Sequence, residues 1–165
     1  MEQSKTIATA RQHIQKLIDD TELFVNERPF HAFASLAVII EVLGKCSNPN
    51  TDWQYYNVQV KDFDNALTLP SLQKYKSLPF NVRSYLRNGM LHAFFPKNGV
   101  TLTNDRNDLP NNIIGCRELY EDIKAAWEEI NSGRIQSQKN LDAPLMEYDG
   151  PNSAATKNPT QNTVV

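Results

Sequence analysis

Cysteine and histidine are scarce in this chain of 165 residues, which has two of the first and three of the second. Cys46 and Cys116 have no second Cys or His within a few positions, so they cannot supply the close ligand pairs of a structural zinc site. A disulfide between them is sterically open but disfavoured in a reducing compartment, and both read as small core or near-surface residues. Charge of one sign is also lacking: 17 Lys and Arg face 19 Asp and Glu, for a net charge of −2 and a pI near 5.9. The whole-molecule basic field of a non-specific nucleic-acid binder is therefore absent, and any such contact has to be a local patch. The mean hydropathy of −0.52 and the lack of a long apolar run argue against a transmembrane span. Met1-Glu2-Gln3-Ser4-Lys5 does not have the basic-then-apolar order of a secretory signal. The expectation is a cytoplasmic protein with no membrane contact, built as one domain.

Helical periodicity is what the sequence does have. Ile7, Ala10, Ile14, Leu17, Thr21 and Phe24 recur at steps of three and four, which puts them on one stripe. Pro29 breaks that helix and opens the next, which runs to about Leu43 and is apolar nearly all round, as a central helix is. Gly44 reads as its C-cap. Trp53, Tyr56, Val60, Phe63 and Leu67 predict a third helix, ended by Leu69-Pro70, with a short turn of helix at Ser71–Tyr75. Val82, Tyr85, Leu86, Gly89, Met90 and Ala93 share a face of a further helix that must stop before Pro96. Val100–Thr103 alternates as a strand does, and with Ile113-Ile114 it predicts a small hairpin. The last stripe, Cys116, Leu119, Ile123, Ala126 and Ile130 with Trp127 beside it, closes at Gly133. The expected fold is all-α: a small up-down helical bundle over residues 1–133, with a short β-hairpin before its last helix. Residues 134–165 are rich in Asn, Gln, Ser and Pro and read as a flexible tail, with Leu141, Leu145, Met146 and Tyr148 available to dock.

The chemistry-bearing stretch is Tyr85-Leu86-Arg87-Asn88-Gly89-Met90-Leu91-His92. Four residues separate the arginine from the histidine, and a polar asparagine directly follows the arginine. In an α-helix Asn88 and His92 are one turn apart, whereas Arg87 and His92 stand about 140° apart around the axis. Arg87 can still reach the His92 side with its long side chain, or meet the equivalent group of a second subunit. A cation, an amide and an imidazole near one helix end can hold a phosphodiester and move its protons without a metal. The alternative is a solvated Arg87 and a helix-capping His92.

The layout around that stretch resembles the HEPN superfamily (higher eukaryotes and prokaryotes nucleotide-binding), small α-helical domains. The resemblance covers roughly residues 5–132 and is carried by Arg87, Asn88 and His92, at the shortest spacing the family's motif uses. It implies a metal-independent endoribonuclease of toxin or defence type, needing no cofactor. His92 would be its general base or acid, Arg87 would stabilise the phosphorane, and Asn88 would orient both. It also implies a homodimer whose two motifs face each other, RNA as substrate, and an antitoxin or other protein as a further partner. Some relatives keep the fold without cleaving RNA, so a non-catalytic module binding a protein or nucleotide is the alternative. A third option is a structural protein in which Arg87 and His92 serve only packing.

Further residues bear on these readings. Glu41 interrupts the apolar second helix, either as a buried acid orienting Arg87 or His92 or on an exposed edge. Arg83, one turn before Arg87, either helps hold phosphate or pairs with a carboxylate. His31 reads as a packing or surface residue. Trp53, Tyr55, Tyr56 and Phe63 read as core rather than as a platform for stacking bases.

Overall fold

The most apolar segment of the chain forms its central helix. The computed structural model describes residues 6–48, 53, 60–78, 81–93 and 99–148. Within them α2 (Pro29–Cys46) buries Ala32, Phe33, Leu36, Ala37, Ile39, Ile40 and Leu43. It packs against α1 (Ala10–Glu27), α3 (Val60–Ala66), α5 (Cys116–Asn131) and a π-helix (Arg83–Ala93). Pro29 takes the first position, where its missing N–H costs no hydrogen bond. By length and hydropathy alone α2 could cross a membrane, but 56% of it lies buried inside the fold, as the core helix of a globular protein does. The chain is mostly helical, as its periodicity predicts.

Helix α1 starts later than the stripe predicts. Thr9 caps it through a reciprocal pair of hydrogen bonds, its hydroxyl accepting from the Gln12 amide and its own amide donating to the Gln12 side chain. Ile7 therefore belongs to the preceding strand β1 (Thr6–Thr9) rather than to the helix. At the other end Phe24 is exposed and Val25 takes the buried place. Among the described residues the third predicted helix is the short α3, with Phe63 and Leu67 buried; Tyr56 and most of the predicted first half lie outside the described residues.

Gly44 is a point of closest approach rather than a cap, since α2 runs on to Cys46. A Cβ on Gly44 would lie 1.6 Å from the backbone oxygen of Asp62 in α3. The fully buried Asp62 accepts from Asn48 Nδ2 at 3.1 Å, which ties α3 to the chain just past the end of α2. A short α4 (Gln73–Lys76) is joined to α5 through Tyr75. The Tyr75 hydroxyl donates to Asp122 at 2.6 Å and accepts from Asn107 Nδ2 at 2.8 Å. Burial, and then the bond to Asp122, push this phenol far above its ordinary pKa. Lys74 bridges Asp122 and Glu118 at 2.8 and 3.0 Å.

The predicted hairpin is not formed. Strands β2 (Thr101–Thr103) and β3 (Ile113–Gly115) do pair, in register Thr101 to Ile113, but they run parallel. A hairpin reverses direction in a short turn, whereas here residues 104–112 pass through a 3₁₀ turn at Leu109–Asn111 and re-enter in the same sense. That loop is held by the start of α5: the amides of Arg117 and Glu118 donate to the carbonyls of Asn104 and Asp105, and Gly115 N–H to Asn107 Oδ1. The expected flexible tail is a strap as far as Tyr148. Its amides at Ile135 and Gln138 donate to Glu129 and Cys46, and its Asn140 and Leu141 carbonyls accept from Trp53 Nε1 and the Arg11 amide. Leu141 is buried, and β4 (Pro144–Tyr148) pairs antiparallel with β1. The side chains of Leu145, Met146 and Tyr148 and all of residues 149–165 lie outside the described residues.

Gly44→Ala tests the α2–α3 approach. Because the obstacle is backbone, α3 must move, and a loss of about 3 kcal/mol in urea unfolding is expected; unchanged stability would show that the helices are not in contact there.

Candidate functional site

The helix that carries the candidate residues begins at Asn81. Its side-chain oxygen accepts from the Ser84 amide at 2.9 Å, and its carbonyl accepts from the Tyr85 amide at 3.1 Å, an ordinary α turn. From Arg83 to Ala93 the helix then widens to i→i+5 hydrogen bonding. This corrects the geometry read from the sequence. Residues five apart, 140° from each other in an α-helix, stand nearer each other around the axis of a wider i→i+5 helix without becoming aligned, so the backbone of His92 is carried part of the way toward the Arg87 side. The side chain of His92 lies outside the described residues. Val82, Leu86, Gly89 and Met90 turn inward as predicted, and Arg87 and Asn88 stand half-buried at the margin.

Arg87 is held by Glu41. Its Nε donates to Glu41 Oε1 at 2.7 Å, and its Nη1 donates to Asn88 Oδ1 at 3.3 Å. Glu41 is therefore the buried acid of the two alternatives: it is 6% exposed, on the face of α2 that meets the π-helix, and not on an open edge. A buried carboxylate needs a donor, and an arginine side chain that is still 23% exposed supplies one while keeping contact with water. Two guanidinium nitrogens are thus engaged within the site, Nε by Glu41 and Nη1 by Asn88, and the planar guanidinium is a group suited to a planar or tetrahedral anion.

No protein-family model, curated protein or solved structure matches this chain. The reading of the site therefore rests on its own geometry. Glu41, Arg87 and Asn88 are brought into one hydrogen-bonded set. Arg83, half-buried on the same helix, makes no ion pair among the described residues, so the carboxylate alternative for it is not realised there. His31 is exposed and meets Phe30 edge-on, a surface placement. Phe63 is core; Trp53 is half-buried and bonds the strap; Tyr55 and Tyr56 lie outside the described residues. A cavity of about 790 Å3 lies between Asp105, Arg106, Arg117 and Glu118, with two charges of each sign. Two of the four are already engaged: Glu118 by Lys74 and the Asn107 amide, Arg117 by Asn26. The i→i+5 register was the feature sequence reasoning missed, and no spacing in the sequence marks it.

Burial pushes both thiols up to about 12, so neither Cys46 nor Cys116 is ionised near neutrality. Slow reaction of both with a thiol reagent at pH 8, and full reaction once guanidinium unfolds the chain, is the expected pattern; fast native labelling of either would contradict its burial. Glu41→Ala strips Arg87 of its buried partner and is expected to lower stability by about 2 kcal/mol, with Glu41→Gln costing less because it keeps an acceptor at the same place. Equal stability of all three proteins in urea titrations would mean that the pair contributes nothing.

Proposed function

We propose that the chain is a HEPN-like, metal-independent endoribonuclease of the toxin or defence type. The observation that carries this reading is the arginine held in a fixed orientation by a buried carboxylate, on the helix that also carries His92 five residues further on. In this reading the 2′-hydroxyl of a ribose attacks the adjacent phosphorus, forming a 2′,3′-cyclic phosphate while the P–O5′ bond breaks. His92 takes the 2′-hydroxyl proton or delivers one to the departing 5′ oxygen. The Nη groups of Arg87 meet the charge that builds on the phosphorane oxygens, where a donor already in place costs no reorganisation. Glu41 and Asn88 position Arg87, and Arg83 adds positive charge for the RNA strand.

The fold that goes with this reading is a small up-down bundle, and the active unit is a homodimer in which two such sites face each other. What supports the dimer is an apolar set left in water: Leu23 and Phe24 at the end of α1, and Phe30 and Val38 on α2, between 37% and 58% exposed. Of these, Val38 lies three residues before Glu41, about one turn away on the same helix. The competing reading is a non-catalytic module of the same fold that binds a protein or nucleotide partner. It is favoured by one feature, the commitment of Arg87 Nε to Glu41, which a purely structural ion pair would equally show.

Cleavage of RNA in the presence of EDTA separates the two. The natural chain is expected to leave 2′,3′-cyclic phosphate ends, and Arg87→Ala and His92→Ala each to lower the rate by about 100-fold or more. Cleavage that survives in both variants, or that requires a metal, would refute the assignment.

A further inference from the structure

Arg83 and Arg87 both stand half-buried on the π-helix, and they differ in how their charge is met. Arg87 lies against Glu41 Oε1 at 2.7 Å, so the two form a pair with no net charge at the margin of the fold. Arg83 has no hydrogen bond or ion pair among the described residues. A helix closed at i→i+5 has somewhat more than four residues per turn, so residues four apart fall nearly above one another. Val82, Leu86 and Met90 make one such row, and all three are buried. Arg83 and Arg87 make the row beside it, one turn apart. Like charges in that relation repel each other, and a guanidinium drawn half out of water favours a counter-charge. Among the described residues no carboxylate answers Arg83.

We propose that Arg83 holds the phosphate next to the one that Arg87 addresses, so that the substrate is a single RNA strand with at least two consecutive phosphodiesters rather than a dinucleotide. This deepens the nuclease reading and rests on it. Side chains one helix turn apart are separated by about 5–6 Å at Cβ. Phosphates along one strand follow each other by about 3.4 Å of axis when the bases stack, and by more when the strand is drawn out. Two guanidinium groups on one row therefore fall in step with two successive phosphates. Arg87 is not at liberty to share a phosphate with Arg83, since Glu41 holds its Nε and Asn88 its Nη1. The charges divide the work. Arg87, matched by Glu41, adds little to long-range attraction, whereas the uncompensated charge of Arg83 draws the strand in.

Two substrates with a single ribose each, and so one cleavable bond, test the proposal in EDTA: a dinucleotide, and an otherwise deoxy hexanucleotide with the same central step. The hexanucleotide is expected to be cleaved with a kcat/KM about 10-fold higher, through a lower KM. Arg83→Ala is expected to erase most of that advantage by raising KM, and Arg83→Lys, which keeps the charge, to restore part of it. No advantage of length would overturn the proposal. So would an equal loss on both substrates, which would put Arg83 on the scissile phosphate or in the fold. Binding of the fully 2′-deoxy hexanucleotide, which lacks the attacking hydroxyl, is a readout apart from cleavage. The slope of log affinity against log salt is expected to shrink by about 0.7 in Arg83→Ala, the counter-ions of one single-strand phosphate. An unchanged slope, or no binding by the natural chain, would overturn the proposal as well. If the natural chain binds the strand but cleaves no RNA, the nuclease reading fails by itself, and the slope still decides whether Arg83 meets a phosphate.

Discussion

A carboxylate inside the most apolar helix of a protein has to be met by a donor, and in this fold that requirement fixes where the site-bearing helix lies. Glu41 sits among Ile39, Ile40 and Leu43, all buried, and Arg87 is the partner that satisfies it. The pair ties the π-helix to α2 at a single angular position, while Leu86 and Met90 supply the apolar contact beneath. The same bond orients the guanidinium through Nε, and Nη1 meets Asn88 Oδ1. Packing and candidate chemistry thus share one interaction, since a side chain that only filled space would leave Glu41 uncompensated.

Much of the fold was legible because amphipathic helices advertise their buried faces. All six residues assigned to the inward stripe of α5 are buried, and α2 is central as its nearly uniform apolarity requires. What escaped was non-local. The sense of pairing between β2 and β3 is set by a loop anchored on the first turn of α5, which no alternation of side chains encodes. The strap after α5 was hidden for a related reason: it docks largely through backbone amides and carbonyls, which every polar sequence possesses. Gly44 has the composition of a cap and the role of a clearance, and only the position of α3 distinguishes them.

The candidate site was legible in its residues and not in its geometry. Arg87 and Asn88 stood out by type and spacing, and Glu41 by being a charge in a greasy helix, although its burial could not be decided before its neighbour was known. The helix register left no mark of its own. Val82, Leu86 and Met90 are spaced by fours, an interval that serves an α-helix and a wider one almost equally well.

The ribbon of β1 and β4 carries a mechanical consequence. Thr6 lies opposite Tyr148, and Thr9 opposite Pro144, so both strands present their outer ends at the same edge. Tension applied across the two ends would load these hydrogen bonds one after another, as a zipper opens, rather than all together in shear. The ribbon is therefore the part of the molecule that yields first to force, and it does so while the ion pair between α2 and the π-helix, far from the line of pull in the chain, still bears no load.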